Sequence, residues 1–246
     1  MATEKHHRIG VLVPMPMELE PVRSELGLVA SEEEDKFART YTATHGTTEV
    51  VARLTGIGMK AATVAAERLL ESEPVDHVLV VGIAGGVGKI ALGTLVIPEV
   101  VVNGDTGDEY RSTPLDGSTA AGRLESSDNF LVTDEDIAKF VARGVIAVDM
   151  ETAAIAAVCA QHTVPWTAFR GISDLAGETP LEVAAMANTD GSANLKAVLK
   201  YLLPRPWKIF HLGRLAKDSK RAAEVAAAAA ARAVAQIEPD SLAASQ

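Results

Sequence analysis

VIAVDMETAAIAAVCAQHTVPWTAFRGISDLAG, residues Val145–Gly177, is the stretch that decides the fold. It reads as strand, helix, turn and strand, closed by Ser173-Asp174. Glu151 opens the helix and shares a face with Ile155, Val158 and Cys159, four, seven and eight residues on. That face is the apolar stripe expected against a core. A carboxylate there is costly unless something pairs with it. Asp174 follows the strand-like run Trp166–Ile172, so it is expected at a strand's carboxyl end, where open α/β sheets bind ligands.

The pattern continues outward in both directions. Arg8–Pro14 is a short apolar run expected as a buried parallel strand, followed by a helix over Met15–Leu26. Phe37–His45 and Thr48–Leu54 alternate and predict an antiparallel pair around Gly46. TGIGM (Thr55–Met59) is a glycine-rich turn before a helix over Lys60–Glu71, and Val75–Val81 is the next buried strand. It runs into GIAGGVG (Gly82–Gly88), read as bare backbone at a strand end. Thr94–Val102 is an irregular strand because of Pro98. Asn103–Gly122 is a long polar excursion read as a mobile loop. Gly122–Val132 returns to the sheet and Asp134–Arg143 is a helix. Further helical segments are expected at Glu182–Met186, Ala193–Leu203 and Ser219–Gln236. Between the last two, Pro204–Asp218 mixes Arg and Lys with Trp207, Ile209, Phe210 and Leu212. It reads as an insertion, either a basic flap or an amphipathic surface cover. Strands alternating with helices predict an α/β fold: one three-layer α/β/α domain over residues 1–246 with a central mixed, largely parallel sheet. Residues 1–7 and 238–246 are expected to be disordered tails.

Bulk properties narrow the function. The 246 residues carry a formal net charge of −10, which argues against a nucleic-acid partner. The single cysteine, Cys159, reads as a core residue and permits no internal disulfide, as suits a reducing compartment. MATEKHHRIG looks like neither signal peptide nor anchor, and no apolar run has membrane-spanning length. A cytoplasmic protein without a membrane partner is expected. The glycines of GIAGGVG do not open a long helix, so a dinucleotide site is disfavoured, and a P-loop lysine is absent. The six histidines are scattered, so neither a metal nor a cofactor is expected.

RIGVLVPMPMELEPV, LTGIGMKAA, VVGIAGGVG, ESSDNFLV, AVDMETAAIA and FRGISD occur in an order that resembles the nucleoside phosphorylase/nucleosidase superfamily. The resemblance is strongest to its 5′-methylthioadenosine/S-adenosylhomocysteine nucleosidases and covers roughly Arg8 to Gly177. It implies cleavage of the bond between a purine and ribose, in nucleoside metabolism and methionine salvage. The transition state is oxocarbenium-like, so the chemistry needs an acid at the purine, partners for the ribose hydroxyls and a positioned water or phosphate.

By this resemblance Asp174 is the acid that protonates the leaving purine; by position alone a helix cap is the commoner role of such an aspartate. Ser173 would orient Asp174 or touch the base, and Arg170 would pair with an acid as scaffold. Glu151 would accept hydrogen bonds from the ribose, with Met150 packed on the sugar. Glu18 would activate the attacking water, with Glu20 as the substitute because Pro16 blurs the register. Phe130 would stack on the purine and Leu131 would read its edge through backbone, while Gly85 and Gly86 bring backbone near the base or sugar. Ile83 stands where the family usually has serine. Asn103–Gly122 is shorter than its counterpart, GETPLEVAAM lacks the usual pocket aromatic, and Pro204–Asp218 has no counterpart. The resemblance further implies a homo-oligomer, a dimer first. Hydrolysis is the leading reading, a phosphorylase the alternative, and a non-catalytic purine-binding protein the second alternative.

Overall fold

The computed structural model describes residues 7–31, 39–72, 74–115, 117–128, 133–177 and 209–237. In chain order the strands are β1 (His7–Val13), β2 (Val29–Ala30), β3 (Thr40–His45), β4 (Thr48–Leu54), β5 (His77–Gly86), β6 (Leu95–Val96), β7 (Val100–Asn103), β8 (Glu109–Arg111), β9 (Arg123–Ser126), β10 (Val145–Asp149) and β11 (Trp166–Leu175). The helices are α1 (Pro16–Leu26), α2 (Met59–Ser72), α3 (Asp134–Ala142), α4 (Thr152–His162) and α5 (Ile209–Ala235).

β5 is the axis of one mixed sheet. It lies parallel to β1 on one side and to β11 on the other. Its glycine end also pairs antiparallel with β10 through Gly85 and Gly86. β4 extends the sheet parallel to β1, and β3 and β2 follow antiparallel. The other wing runs β10, β9 and β7 in parallel, with β8 antiparallel at its edge.

Side-chain alternation divides the core into two layers. On β5, Val78, Val80 and Ala84 face one way, joined there by Leu12, Ala168 and Ile172 and by residues of α2 and α4. Leu79 and Val81 face the other way, with Phe169 and residues of α1 and α5. Helices therefore cover both faces, and this is the expected three-layer α/β/α arrangement. α4 is not the one-sided stripe expected. Thr152, Ala153, Ala154, Ile155, Ala156, Val158 and Cys159 are all buried, as befits a helix that is apolar all round. α5 approaches β11 so closely that a Cβ at Gly171 would lie 2.0 Å from the Ala222 carbonyl oxygen. Its alanines, Ala222, Ala223, Ala226, Ala227 and Ala230 among them, make that approach sterically open.

Several expectations are corrected. His7 is strand, not tail, because its main chain pairs with β4 at Thr48. β5 does not stop at Val81, since ladder bonds on both edges carry it through the glycines to Gly86. Asp174 lies inside β11 rather than beyond it, after a bulge that follows Ile172. The first half of the 103–122 excursion, to Arg111, is folded back as the β7–β8 hairpin, with the Asn103 carboxamide oxygen accepting from Asp105 N and Thr106 N. The second half of Pro204–Asp218, from Ile209, is the start of α5 rather than a flap, and one helix of 27 residues results. Residues 178–208, with the helices expected in them, GETPLEVAAM, and the tail 238–246 lie outside the described residues. No described helix is long and apolar enough to cross a membrane.

Candidate active site

The site begins with the way α1 starts. Pro16 occupies its first turn, where a missing N–H costs nothing, and Glu18 at the third helical position completes a capping box. Glu18 Oε2 accepts from its own helix's Met15 N at 2.7 Å, and Oε1 accepts from Ile83 N of β5, also at 2.7 Å. Both oxygens are thereby fixed, and the side chain is 1% exposed. Glu20 is exposed and pairs with Arg23 at 3.2 Å, so of the two it is Glu18 that lies in the buried cluster.

Gly82 makes the approach possible. It lies on the same face of β5 as Val78 and Val80. A Cβ there would stand 2.5 Å from both Glu18 Oε1 and Arg170 Nη1. The two side chains thus meet over bare backbone.

Arg170, from β11, is fully buried. Its Nη2 contacts Asp149 Oδ2 at 2.7 Å, Thr152 Oγ1 at 2.9 Å and Glu151 Oε2 at 3.5 Å, and its Nη1 faces the Ile83 carbonyl at 3.4 Å. Glu151 is the residue at the N-cap of α4, yet its side chain makes no cap. Its Oε1 instead accepts from Gly58 N at 3.0 Å, across 93 residues of chain. The acceptor at the head of α4 is Asp149, whose Oδ1 takes Glu151 N and Thr152 N, each at 3.3 Å, and Ser126 Oγ at 2.5 Å. Thr152 Oγ1 donates to Asp149 Oδ2, and Ser126 Oγ accepts from Ala153 N.

Three carboxylates, those of Glu18, Asp149 and Glu151, therefore surround one buried guanidinium. Burial pushes the Glu18 carboxyl up to about 7, against the pull of Arg170 and of its two amide donors. Burial likewise pushes Glu151 above the usual carboxylate range, with Arg170 opposing and Asp149 adding to the rise. Arg170 itself is held in its charged form by the acids around it, which outweigh its burial. A buried carboxyl poised near neutrality suits proton transfer at physiological pH.

Asp174 lies four residues along β11 from Arg170, half-buried, and its Oδ1 accepts from Ser173 Oγ at 2.6 Å. Ser173 is buried, with Ala84 O 3.4 Å from its hydroxyl. Gly85 and Gly86 lie opposite Asp174 and Leu175 in the ladder. Met150 is half-buried between Asp149 and Glu151. Ile83 contributes its amide to Glu18 and its carbonyl to Arg170. Phe130 and Leu131 lie outside the described residues.

The structure thus brings Glu18, Glu151, Ile83 and Arg170 into one cluster, and sets Ser173 and Asp174 on the strand that carries Arg170. Asp149, Thr152, Ser126, Gly58 and Gly82 were missed. For Asp149 and Thr152 a signal existed: they flank Glu151 within DMET at the strand–helix junction. Gly58, Gly82 and Ser126 lie in the runs TGIGM, GIAGGVG and ESSDNFLV, but they join the cluster through partners remote in sequence.

The model of the phosphorylase superfamily matches residues 8–124 and 115–203 of the chain. The chain is 31% identical over 191 residues to the 5′-methylthioadenosine/S-adenosylhomocysteine nucleosidase of Geobacillus kaustophilus (strain HTA426), spanning 62% of this chain and 81% of that protein. It is 28% identical over 225 residues to the nucleosidase of the same name from Bacillus subtilis (strain 168), spanning 74% and 95%. Among solved structures, the Neisseria meningitidis 5′-methylthioadenosine/S-adenosylhomocysteine nucleosidase in complex with methylthio-immucillin-A superposes with a TM-score of 0.71 at 23% identity, over 93% of this chain and 99% of that one. Futalosine hydrolase of Helicobacter pylori gives 0.69 at 18%, over 94% and 98%. At these identities the structural likeness speaks to fold alone.

Proposed function

The chain belongs to the phosphorylase superfamily, and within it we propose a purine nucleosidase that hydrolyses the N-glycosidic bond of a 5′-thio-substituted adenosine such as 5′-methylthioadenosine or S-adenosylhomocysteine. Glu18 takes a proton from water as the water's oxygen bonds to the anomeric carbon. The bond from that carbon to the purine breaks, and its electron pair goes to the base, which Asp174 protonates. Ser173 fixes the Asp174 carboxyl through its hydroxyl. Glu151 accepts hydrogen bonds from the ribose hydroxyls and offsets the positive charge that grows on the sugar. Met150, Gly85, Gly86 and Ile83 line the base and sugar, while Phe130 and Leu131 belong to this reading through the sequence resemblance alone. The products are free purine and a reducing sugar. A homodimer in the cytoplasm is part of this reading.

One observation carries the choice of water over phosphate: Glu18 and Glu151 are two buried carboxyls facing a guanidinium already paired with Asp149. A phosphate dianion needs a surplus of cations. Arg8 is paired with Glu49 at 2.6 Å, Arg23 with Glu20, and Arg53 reaches the Arg68 carbonyl at 3.5 Å. None of these contacts is to a residue of the cluster.

The test is purine release from methylthioadenosine, S-adenosylhomocysteine, adenosine, inosine and futalosine, each with and without phosphate. Release of adenine from the thio-nucleosides without phosphate is expected. A strict phosphate requirement with ribose 1-phosphate formed, or no release from any of the five, overturns the reading.

A further inference from the structure

Asp149 has no role in the proposed step itself, yet its carboxylate is as heavily bonded as the Arg170 guanidinium. Its two oxygens bind Ser126 from β9, the first amides of α4, Thr152 and the Arg170 guanidinium. In capping α4 it leaves the Glu151 carboxylate free to turn outward to Gly58 and the site. In pairing with Nη2 it holds Arg170 towards α4, on the far side of the guanidinium from the nitrogen, Nη1, that lies over Gly82 beside Glu18.

We propose that Asp149 is a positioning residue of the reaction: it anchors Arg170 and draws its charge away from Glu18, so that Glu18 is a strong enough base to take a proton from water at neutral pH. This rests on the nucleosidase reading above. The charged groups that act on Glu18 are Arg170 from β11, Asp149 from β10 and Glu151 at the head of α4; β5 and the start of α1 contribute the amides of Ile83 and Met15. The signs agree. Asp149 raises the proton affinity of Glu18, Arg170 lowers it, and removal of Asp149 both deletes the first effect and releases the second.

The experiment is the pH profile of kcat/KM for adenine release by the full chain, for the wild type, Asp149→Asn and Asp149→Glu. The wild-type acid limb is expected near pH 7, where Glu18 titrates. In Asp149→Asn the limb moves down by about one pH unit and the plateau falls ~10-fold. Asp149→Glu restores the charge and returns the midpoint to within about 0.3 of wild type. Should the asparagine variant fail to fold, Thr152→Val removes a tie to Arg170 at near-constant volume and moves the limb in the same direction. An unmoved midpoint in a folded Asp149→Asn or Thr152→Val, or equal shifts in Asp149→Asn and Asp149→Glu, overturns the role of Asp149 alone. No turnover by the wild type overturns the functional reading as well.

Discussion

Gly82→Ala is a one-carbon test of how the site is assembled. The added Cβ would lie 2.5 Å from Glu18 Oε1, 2.5 Å from Arg170 Nη1 and 3.1 Å from Glu18 Cδ, where ordinary contact begins at 3.4 Å. Each polar end must retreat by close to an ångström, and neither has room. Glu18 is pinned by two amides at 2.7 Å, and Arg170 is buried between Asp149 and Thr152. Gly82 sits within a regular strand, so the penalty is steric rather than torsional. Overpacking of this size costs about 1–3 kcal/mol, and loosening one hydrogen bond to a buried carboxylate adds ~1–3 kcal/mol. For a chain of this length that predicts a fall in Tm of about 5–15 °C. Displacing the base by about an ångström predicts a ~100-fold loss in kcat/KM. Differential scanning calorimetry and adenine release measure the two quantities on one preparation. A variant within about 2 °C and about threefold of wild type would mean that Glu18 and Arg170 do not meet over Gly82.

Glu18→Gln removes the base and, with it, the acid limb near pH 7, while purine binding by calorimetry is kept; loss of binding would make Glu18 structural. Because the folded-state value of Glu18 stands above its ordinary 4.5, the fold loses stability as pH rises from there through about 7. Glu18→Gln should flatten that slope in urea titrations. Asp174→Asn keeps the fold but lowers kcat by at least ~100-fold, and near-normal turnover would end its role as the acid. His77 is buried with Nε2 2.8 Å from Thr167 Oγ1, and burial holds it down at about 4. Its folded value lies below the ordinary 6.5, so stability is complete above pH 6.5 and falls by about 3 kcal/mol towards pH 4. His77→Gln keeps a donor and should lose that dependence; an unchanged slope would place the acid sensitivity elsewhere.

How much was legible in advance varies with the range of the interaction. The strand–helix–strand reading of 145–177 depends on local periodicity, and the structure follows it. The glycine run after Val81 misled because glycine disfavours strands locally, whereas here β10 and β11 supply the ladder that overrides propensity. The role of Glu18 came from resemblance alone; its surroundings were not legible, because they come from Ile83, 65 residues away, and from Arg170. Arg170 was expected to pair with an acid, but the partners could not be ranked without knowing that Asp149 caps α4 in place of Glu151. In Pro204–Asp218 the prolines at 204 and 206 read as a break in helix, and Ile209, from which α5 runs, lies inside that stretch.

Water as the attacking group is tested by turnover of methylthioadenosine in ¹⁸O-labelled water, without phosphate, followed by mass spectrometry of both products. One ¹⁸O is expected in the sugar, none in adenine, and no sugar phosphate when phosphate is added. Adenine release that begins only with phosphate and yields an unlabelled sugar 1-phosphate would contradict it.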